Sequence, residues 1–266
     1  MESSETAGRW IFVPQSRSRP VLRLYCFPHA GAAAHTYSRW PADLPESIEL
    51  RAVQLPGRGQ RCREAPIERL EPLLEALLTA LRGEWEQAPF AFYGHSLGGL
   101  VAFELARRLR SSGGPRPVAL AISGRPAPHT PRQDRLDAEA DENDWRLLRR
   151  FGGTPDVLLN DRETMAFLMP ILKADFQIVR DYICRPDRPL DLPLCIYVGR
   201  DDPEPPPEAV KDWKNETSAV CLVREFAGGH FFNYEHRKSF LSTLSADLQQ
   251  ILMMLLNVRG LQRPWT

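Results

Sequence analysis

Three short stretches of this chain carry side chains that together could transfer an acyl group. A serine sits in Gly94-His95-Ser96-Leu97-Gly98, two aspartates in Gly199-Arg200-Asp201-Asp202-Pro203, and a histidine in Gly228-Gly229-His230. A serine hydroxyl at its free pKa is a poor nucleophile, so an imidazole must take its proton. A carboxylate must then fix the imidazole's tautomer and stabilise the cation it becomes. The product of that chemistry is an acyl-serine that water can hydrolyse. The glycines matter as much as the serine. An apolar run, Phe90–Tyr93, precedes the pentapeptide, and a helical pattern with Val101, Phe103, Leu105 and Leu109 follows it. Between them the chain must turn sharply, and side chains at positions 94 and 98 would strike neighbouring backbone. The helix N-terminus then favours negative charge beside Ser96.

The chain order Ser, Asp, His assigns the partners. Of six histidines, only His230 and His236 follow the late apolar runs. His230 comes after Cys221–Phe226 on a loop made pliable by two glycines, which places it as the base. His236 opens a charged stretch and is expected in solvent. Asp202, three residues past Gly199 and directly before Pro203, is the preferred acid, with Asp201 as the fallback. Whichever aspartate is not the acid is free to cap the following helix. An oxyanion needs two backbone N–H donors. Leu97 supplies one, and Ala30, in the small-residue stretch Pro28-His29-Ala30-Gly31-Ala32, is assigned the other. His29 is read as structural or as a contact at the pocket mouth.

Positioning these groups takes alternating strands and helices. Strands are predicted at Trp10–Val13 (an antiparallel edge), Val21–Phe27, Glu49–Gln54, Phe90–Tyr93, Val118–Ser123, Leu194–Val198 and Cys221–Phe226. Helices are predicted at Thr36–Asp43, Glu68–Trp85, Leu97–Arg110, Pro205–Trp213 and Glu235–Leu256. Such alternation implies a mostly parallel sheet with crossover helices, and with the Gly-x-Ser-x-Gly turn it implies an α/β-hydrolase fold. From 125 to 190 no strand pattern appears. Three helices are expected there instead, at Glu142–Phe151, Arg162–Leu172 and Ala174–Cys184. That stretch is too long for a simple connection, so it reads as a helical lid inserted into a core of 1–124 and 191–266.

Composition narrows the function. Lys+Arg and Asp+Glu both number 34 in 266 residues, a net charge of zero, which argues against a nucleic-acid protein. Five cysteines with no CxxC spacing read as reduced thiols in a cytoplasmic protein. The first residues lack a basic and apolar leader, and the apolar run Ile251–Leu256 is too short for a membrane span. The histidines have no metal-ligand spacing, and no nucleotide-binding glycine pattern occurs.

Several stretches together resemble the type II thioesterases of nonribosomal peptide and polyketide assembly lines, a family that includes medium-chain fatty-acid-synthase thioesterases. They are Cys26-Phe-Pro-His-Ala-Gly31, Gln54-Leu-Pro-Gly-Arg58, Phe92 to Gly99, Phe151-Gly-Gly-Thr-Pro155, Pro170 to Phe176, Gly199 to Pro203 and Gly228 to His230. They run in the family's order from about Val21 to Leu256. Ala32 departs from the family, which often has a second glycine there. The resemblance implies a free-standing, monomeric editing enzyme. It would clear aberrant or stalled acyl groups from phosphopantetheine arms of acyl or peptidyl carrier proteins, needing no cofactor beyond the arm on its substrate. Carrier proteins are generally acidic, so arginines could steer them: Arg58, Arg61 and Arg63 before the Glu68 helix, or Arg146, Arg149 and Arg150 in the lid. Two other readings fit the same triad pattern: an esterase or lipase of free small esters, and a non-catalytic scaffold on this fold.

Overall fold

The computed structural model describes residues 8–130, 152–153 and 156–259. Seven strands form one sheet: β1 (Ile11–Phe12), β2 (Leu22–Phe27), β3 (Ile48–Val53), β4 (Phe90–His95), β5 (Leu120–Ser123), β6 (Leu194–Gly199) and β7 (Cys221–Phe226). Their order is β1-β3-β2-β4-β5-β6-β7. β1 runs antiparallel to β3, and every other pairing is parallel. All seven lie where the sequence predicts strands, with ends shifted by a residue or two.

Side chains alternate across the sheet because successive Cβ atoms point to opposite faces. On one face Tyr25, Phe27, Phe90, Phe92, Leu120, Ile122, Ile196 and Val198 meet α1 (Leu70–Trp85) and α2 (Leu97–Ser111). On the other, Leu22, Leu24, Cys26, Ala91, Tyr93, Ala121, Cys195 and Tyr197 form a second core with Phe240, Leu241, Leu244 and Leu248. Each fully buried large apolar side chain contributes about 1.5–3 kcal/mol. β7 is the exposed edge; Arg224 there pairs with Asp247 at 2.7 Å, and such charged side chains discourage a further strand from adding.

Between β5 and β6 lie α3 (Asp156–Leu159) and α4 (Arg162–Asp181). The sequence divides 162–184 into two helices at Lys173; the structure has one, ending at Asp181. Nothing at Lys173 breaks a helix, and the apolar stripe Met165, Leu168, Ile171, Leu172, Ile178 is continuous. Pro170 lies inside this helix. Asp161 caps it, accepting the Glu163 N–H at 3.1 Å. The expected helix Glu142–Phe151 falls outside the described residues. Thr36–Asp43 is two short 3-10 turns, Ala34–Tyr37 and Trp40–Asp43, interrupted where Pro41 lacks an N–H. The Pro-rich stretch before Trp213 likewise winds as a 3-10 helix, Pro207–Glu216. The chain closes with α5 (Phe232–Glu235) and α6 (Arg237–Arg259). No described helix is long and apolar enough to cross a membrane.

Candidate active site

Ser96 stands between β4 and α2 with φ 53° and ψ −113°, the one non-glycine residue of positive φ among those described. Such backbone is costly for an L-residue and persists only where its surroundings enforce it. Here packing enforces it. A Cβ on Gly94 would lie 2.1 Å from the Gly98 carbonyl oxygen, and one on Gly98 would lie 2.0 Å from that of Phe27. The turn can therefore close only with glycine at both positions. Ser96 N–H is held by the Ser123 carbonyl at 2.9 Å, which ties the apex to β5. The serine remains partly exposed at the end of an otherwise buried strand.

His230 and Asp202 meet from the loops that follow β7 and β6. His230 Nδ1 is 2.9 Å from Asp202 Oδ2 and 3.2 Å from Oδ1. The carboxylate only accepts, so Nδ1 carries the proton and the other ring nitrogen is left as the acceptor. Both side chains are buried. Asp201 is exposed, and the bonds to His230 Nδ1 come from Asp202. The helix cap expected from the second aspartate is not made, since Pro206 stands at the N-cap of Pro207–Glu216 and no side chain caps it; Asp202 itself closes the local turn, its Oδ1 accepting the Glu204 N–H at 2.9 Å. His236 is exposed, as anticipated.

Ser96 and His230 line one cavity of about 130 Å³, together with His29, Ala30 and Gly31 from the loop after β2, Leu168, Leu172 and Phe176 from α4, and Phe231. A larger cleft of about 490 Å³ lies elsewhere, between α1, α2 and the end of α4. Of its arginines, Arg107 pairs with Glu104 and Arg108 with Glu71 and Glu75, and the cleft contains none of Ser96, His230 and Asp202. Leu97 begins α2, whose first N–H groups have no intrahelical acceptor. In the β2 loop the Gly31 amide is bound by Asp175 and the Ala32 amide by the His29 carbonyl. Ala30 lines the cavity.

Three imidazoles crowd the site. His95 is fully buried, 4.9 Å from His230 and 5.9 Å from His29 by ring centroids. Burial, reinforced by the other two rings, holds His95 well below the usual histidine range, and burial lowers His29 to about 4. Both are neutral where His230 would work, so neither opposes a cation forming on it. A buried chain orders His95: Asn233 Nδ2 donates to Tyr93 OH at 2.9 Å, Tyr93 OH pairs with Ser123 Oγ at 2.8 Å, and Ser123 Oγ with His95 Nδ1 at 2.8 Å. Sequence reasoning missed this chain; its one signal was a histidine inside an apolar strand end.

The arginine expectations divide. Arg58 and Arg61 are buried, not docking cations: Arg58 forks onto Asp175, while Arg61 pairs with Glu64 and lies 3.8 Å over the Trp10 ring. Arg63 is exposed. Arg146, Arg149 and Arg150 fall outside the described residues. All five cysteines are free thiols.

Sheet order, strained serine and the carboxylate–imidazole pair at the strand C-termini define an α/β-hydrolase. Residues 22–248 match the thioesterase domain family. The gramicidin S biosynthesis protein GrsT of Aneurinibacillus migulanus is 34% identical over 247 residues, covering 92% of this chain and 96% of that one. Thioesterase PikA5 of Streptomyces venezuelae is 38% identical over 229 residues, 85% and 80% of the two chains. Among solved structures, the type II thioesterase BorB from the borrelidin biosynthetic cluster superposes with a TM-score of 0.80 at 34% identity, covering 89% of this chain and 96% of BorB. The chain belongs to the thioesterase family and is a hydrolase of thioesters, and the resemblance to type II thioesterases holds.

Proposed function

We propose that this protein is an editing thioesterase that removes aberrant or stalled acyl groups from the phosphopantetheine arms of carrier proteins. The observation that carries the mechanism is a strained, partly exposed Ser96 sharing a cavity with His230, whose far nitrogen is held by buried Asp202. The carrier assignment is supported by similar proteins named for gramicidin S biosynthesis, for the borrelidin biosynthetic cluster and for an NRPS/PKS pathway.

In the first half-reaction Ser96 Oγ attacks the thioester carbonyl carbon while His230 takes the hydroxyl proton. Asp202 accepts the hydrogen bond from Nδ1–H and stabilises the imidazolium. The Leu97 and Ala30 amides hold the oxyanion. The C–S bond then breaks and the pantetheine sulfur leaves with the proton from His230. In the second half a water gives its proton to His230 and attacks the acyl-serine. Ser96 departs with that proton and the free acid is released. The segment of residues 125–190 acts as the lid, with α4 forming the wall of the acyl cavity. No step calls on a metal or a bound cofactor; the arm arrives on the substrate.

The test is a panel of acyl-carrier proteins, each matched to a free oxygen ester of the same acyl group, with carrier mass followed over time. Carrier deacylation that far outpaces ester cleavage and disappears in Ser96→Ala is the expected result. Faster cleavage of the free esters would instead make it an esterase. Activity surviving in Ser96→Ala would remove the serine mechanism.

A further inference from the structure

Asp175 is a carboxylate on the apolar face of α4, 1% exposed, in a helix whose neighbouring buried residues are Ile171, Leu172, Ala174 and Ile178. Its Oδ2 accepts the backbone N–H of Gly31 at 2.7 Å. The same carboxylate is forked by Arg58: Nη1 to Oδ2 at 2.5 Å and Nη2 to Oδ1 at 2.8 Å. Arg58 is itself 3% exposed. Its other contacts are longer: Nε donates to the Pro56 carbonyl at 3.3 Å and Nη1 to the Ala32 carbonyl at 3.5 Å. Gln54 completes the brace. Its Oε1 accepts the Ala34 N–H at 3.1 Å, and its Nε2 donates to the carbonyls of Leu55 and Arg58 at 3.1 and 2.9 Å. Two buried side chains, from α4 and from the loop after β3, thus converge on the Gly31–Ala34 stretch.

A buried ion pair is poor evidence of stabilisation, because desolvating both charges offsets much of their attraction. What this pair does specifically is fix a peptide. Gly31 has φ +79°, a conformation that leaves its N–H direction for the rest of the structure to decide. That peptide adjoins Ala30, and an oxyanion donor acts only when its N–H is aimed at the position the oxyanion will occupy, about 2.7–3.1 Å away. Leu172, one turn before Asp175, packs against the same glycine: a Cβ there would be 2.6 Å from Leu172 Cδ2.

We infer that Asp175, oriented by Arg58, is a positioning residue for the oxyanion loop, and that it makes the Ala30 donor dependent on α4 being seated. The inference rests on the proposed serine mechanism, so the test must separate the two. Two double variants remove the same charges. Arg58→Gln/Asp175→Asn keeps an acceptor oxygen for Gly31 N–H. Arg58→Met/Asp175→Leu removes it while keeping the space filled, and it leaves no unpaired buried charge.

On a small acyl thioester, the apolar pair should lose about 30- to 100-fold in kcat at nearly unchanged KM. Its affinity for a trifluoromethyl ketone analogue of the tetrahedral intermediate should fall in parallel, while the polar pair recovers most of both. Equal kcat in the two double variants, or a loss confined to KM, overturns the inference. If the apolar pair does not fold, Arg58→Gln/Asp175→Ala, which also removes the acceptor and leaves no unpaired charge, carries the test: a several-fold lower kcat and weaker ketone binding than Arg58→Gln/Asp175→Asn supports it, and an effect on KM alone overturns it. Ser96→Ala in the same assay isolates the other possibility. An inactive Ser96→Ala beside a fully active apolar pair refutes only the positioning role, whereas an active Ser96→Ala refutes the mechanism itself.

Discussion

The serine turn and the α4 wall are the two halves of one cavity, and they are built by opposite means. The turn is fixed by backbone against backbone: Gly94 against Gly98, Gly98 against Phe27, Ser96 N–H on the Ser123 carbonyl. The wall is held by side chains, with Leu172 on Gly31 and a buried carboxylate shared between an amide and a guanidinium. Backbone contacts leave no freedom and hold a reacting atom in place. Side-chain contacts can be exchanged, which suits a surface that must fit one acyl group rather than another. On the proposed mechanism, chemistry falls to the rigid half and selection to the replaceable one.

The sharpest way to break this contrast lies within two adjacent residues of the rigid half. Asp202→Asn should lower kcat about 10⁴-fold, because an amide can hold the wrong imidazole tautomer. Asp201→Asn should leave kcat within about two-fold, since that side chain is exposed. Comparable losses in steady-state kinetics would mean that the 2.9 Å bond between His230 and Asp202 does not organise the base.

Next in size is a stability effect. Gly98→Ala places a Cβ 2.0 Å from the Phe27 carbonyl oxygen and 2.8 Å from that of Pro28. Backbone cannot yield there without dragging β2, so a loss of about 3 kcal/mol or more is expected in urea unfolding. Gly83→Ala is the control: it lies inside α1 with nothing within 4 Å of the added Cβ. It should stabilise by about 0.5–1 kcal/mol.

The rigid half also carries the pH dependence. His95 and His29 are neutral in the fold, with pKa values lowered chiefly by burial, His29 to about 4. In the unfolded chain both titrate near 6.5. Below that pH the unfolded state binds more protons, so stability is complete above about 6.5 and falls as the pH drops towards 4. The slope is about 1.4 kcal/mol per pH unit for each histidine. His95→Gln should roughly halve it in urea titrations between pH 5 and 7, and an unchanged slope would show that His95 is not the group being forced to stay neutral.

Much of the rigid half was legible in the sequence, and for the same reason that it is rigid. Backbone that tolerates only glycine writes glycine at 94 and 98, and strands buried on both faces write apolar runs. Chain order with the Gly199 and Gly228-Gly229 contexts pointed to Asp202 and His230, with Asp201 kept as the fallback acid. What stayed hidden was every contact made by one side chain reaching a distant element. Arg58 in an exposed-looking Pro-Gly loop read as a surface cation, because nothing local says that Asp175, 117 positions away, lies against it. The one trace was Asp175 itself, a lone carboxylate on the Ile171–Ile178 face, and a charge on an apolar face needs a partner. Tyr93, Ser123 and Asn233 likewise come from three elements, and no periodicity links them.

The smallest predicted effect concerns how a carrier would reach the selective half. With Arg58 and Arg61 buried, steering by a basic surface falls to exposed Arg63 and to Arg149 and Arg150 in the proposed lid segment. The chain's net charge is zero, so any attraction for an acidic partner must be local, and local charges act mainly on encounter and fade with salt. Arg149→Glu/Arg150→Glu should therefore raise KM for an acyl-carrier protein about three- to ten-fold at low ionic strength and leave a small acyl thioester untouched. The difference should shrink towards 0.5 M salt. Equal effects on both substrates would place these arginines in the wall that shapes the acyl cavity instead of on a docking surface. The selective half would then end at the cavity and not extend to the carrier.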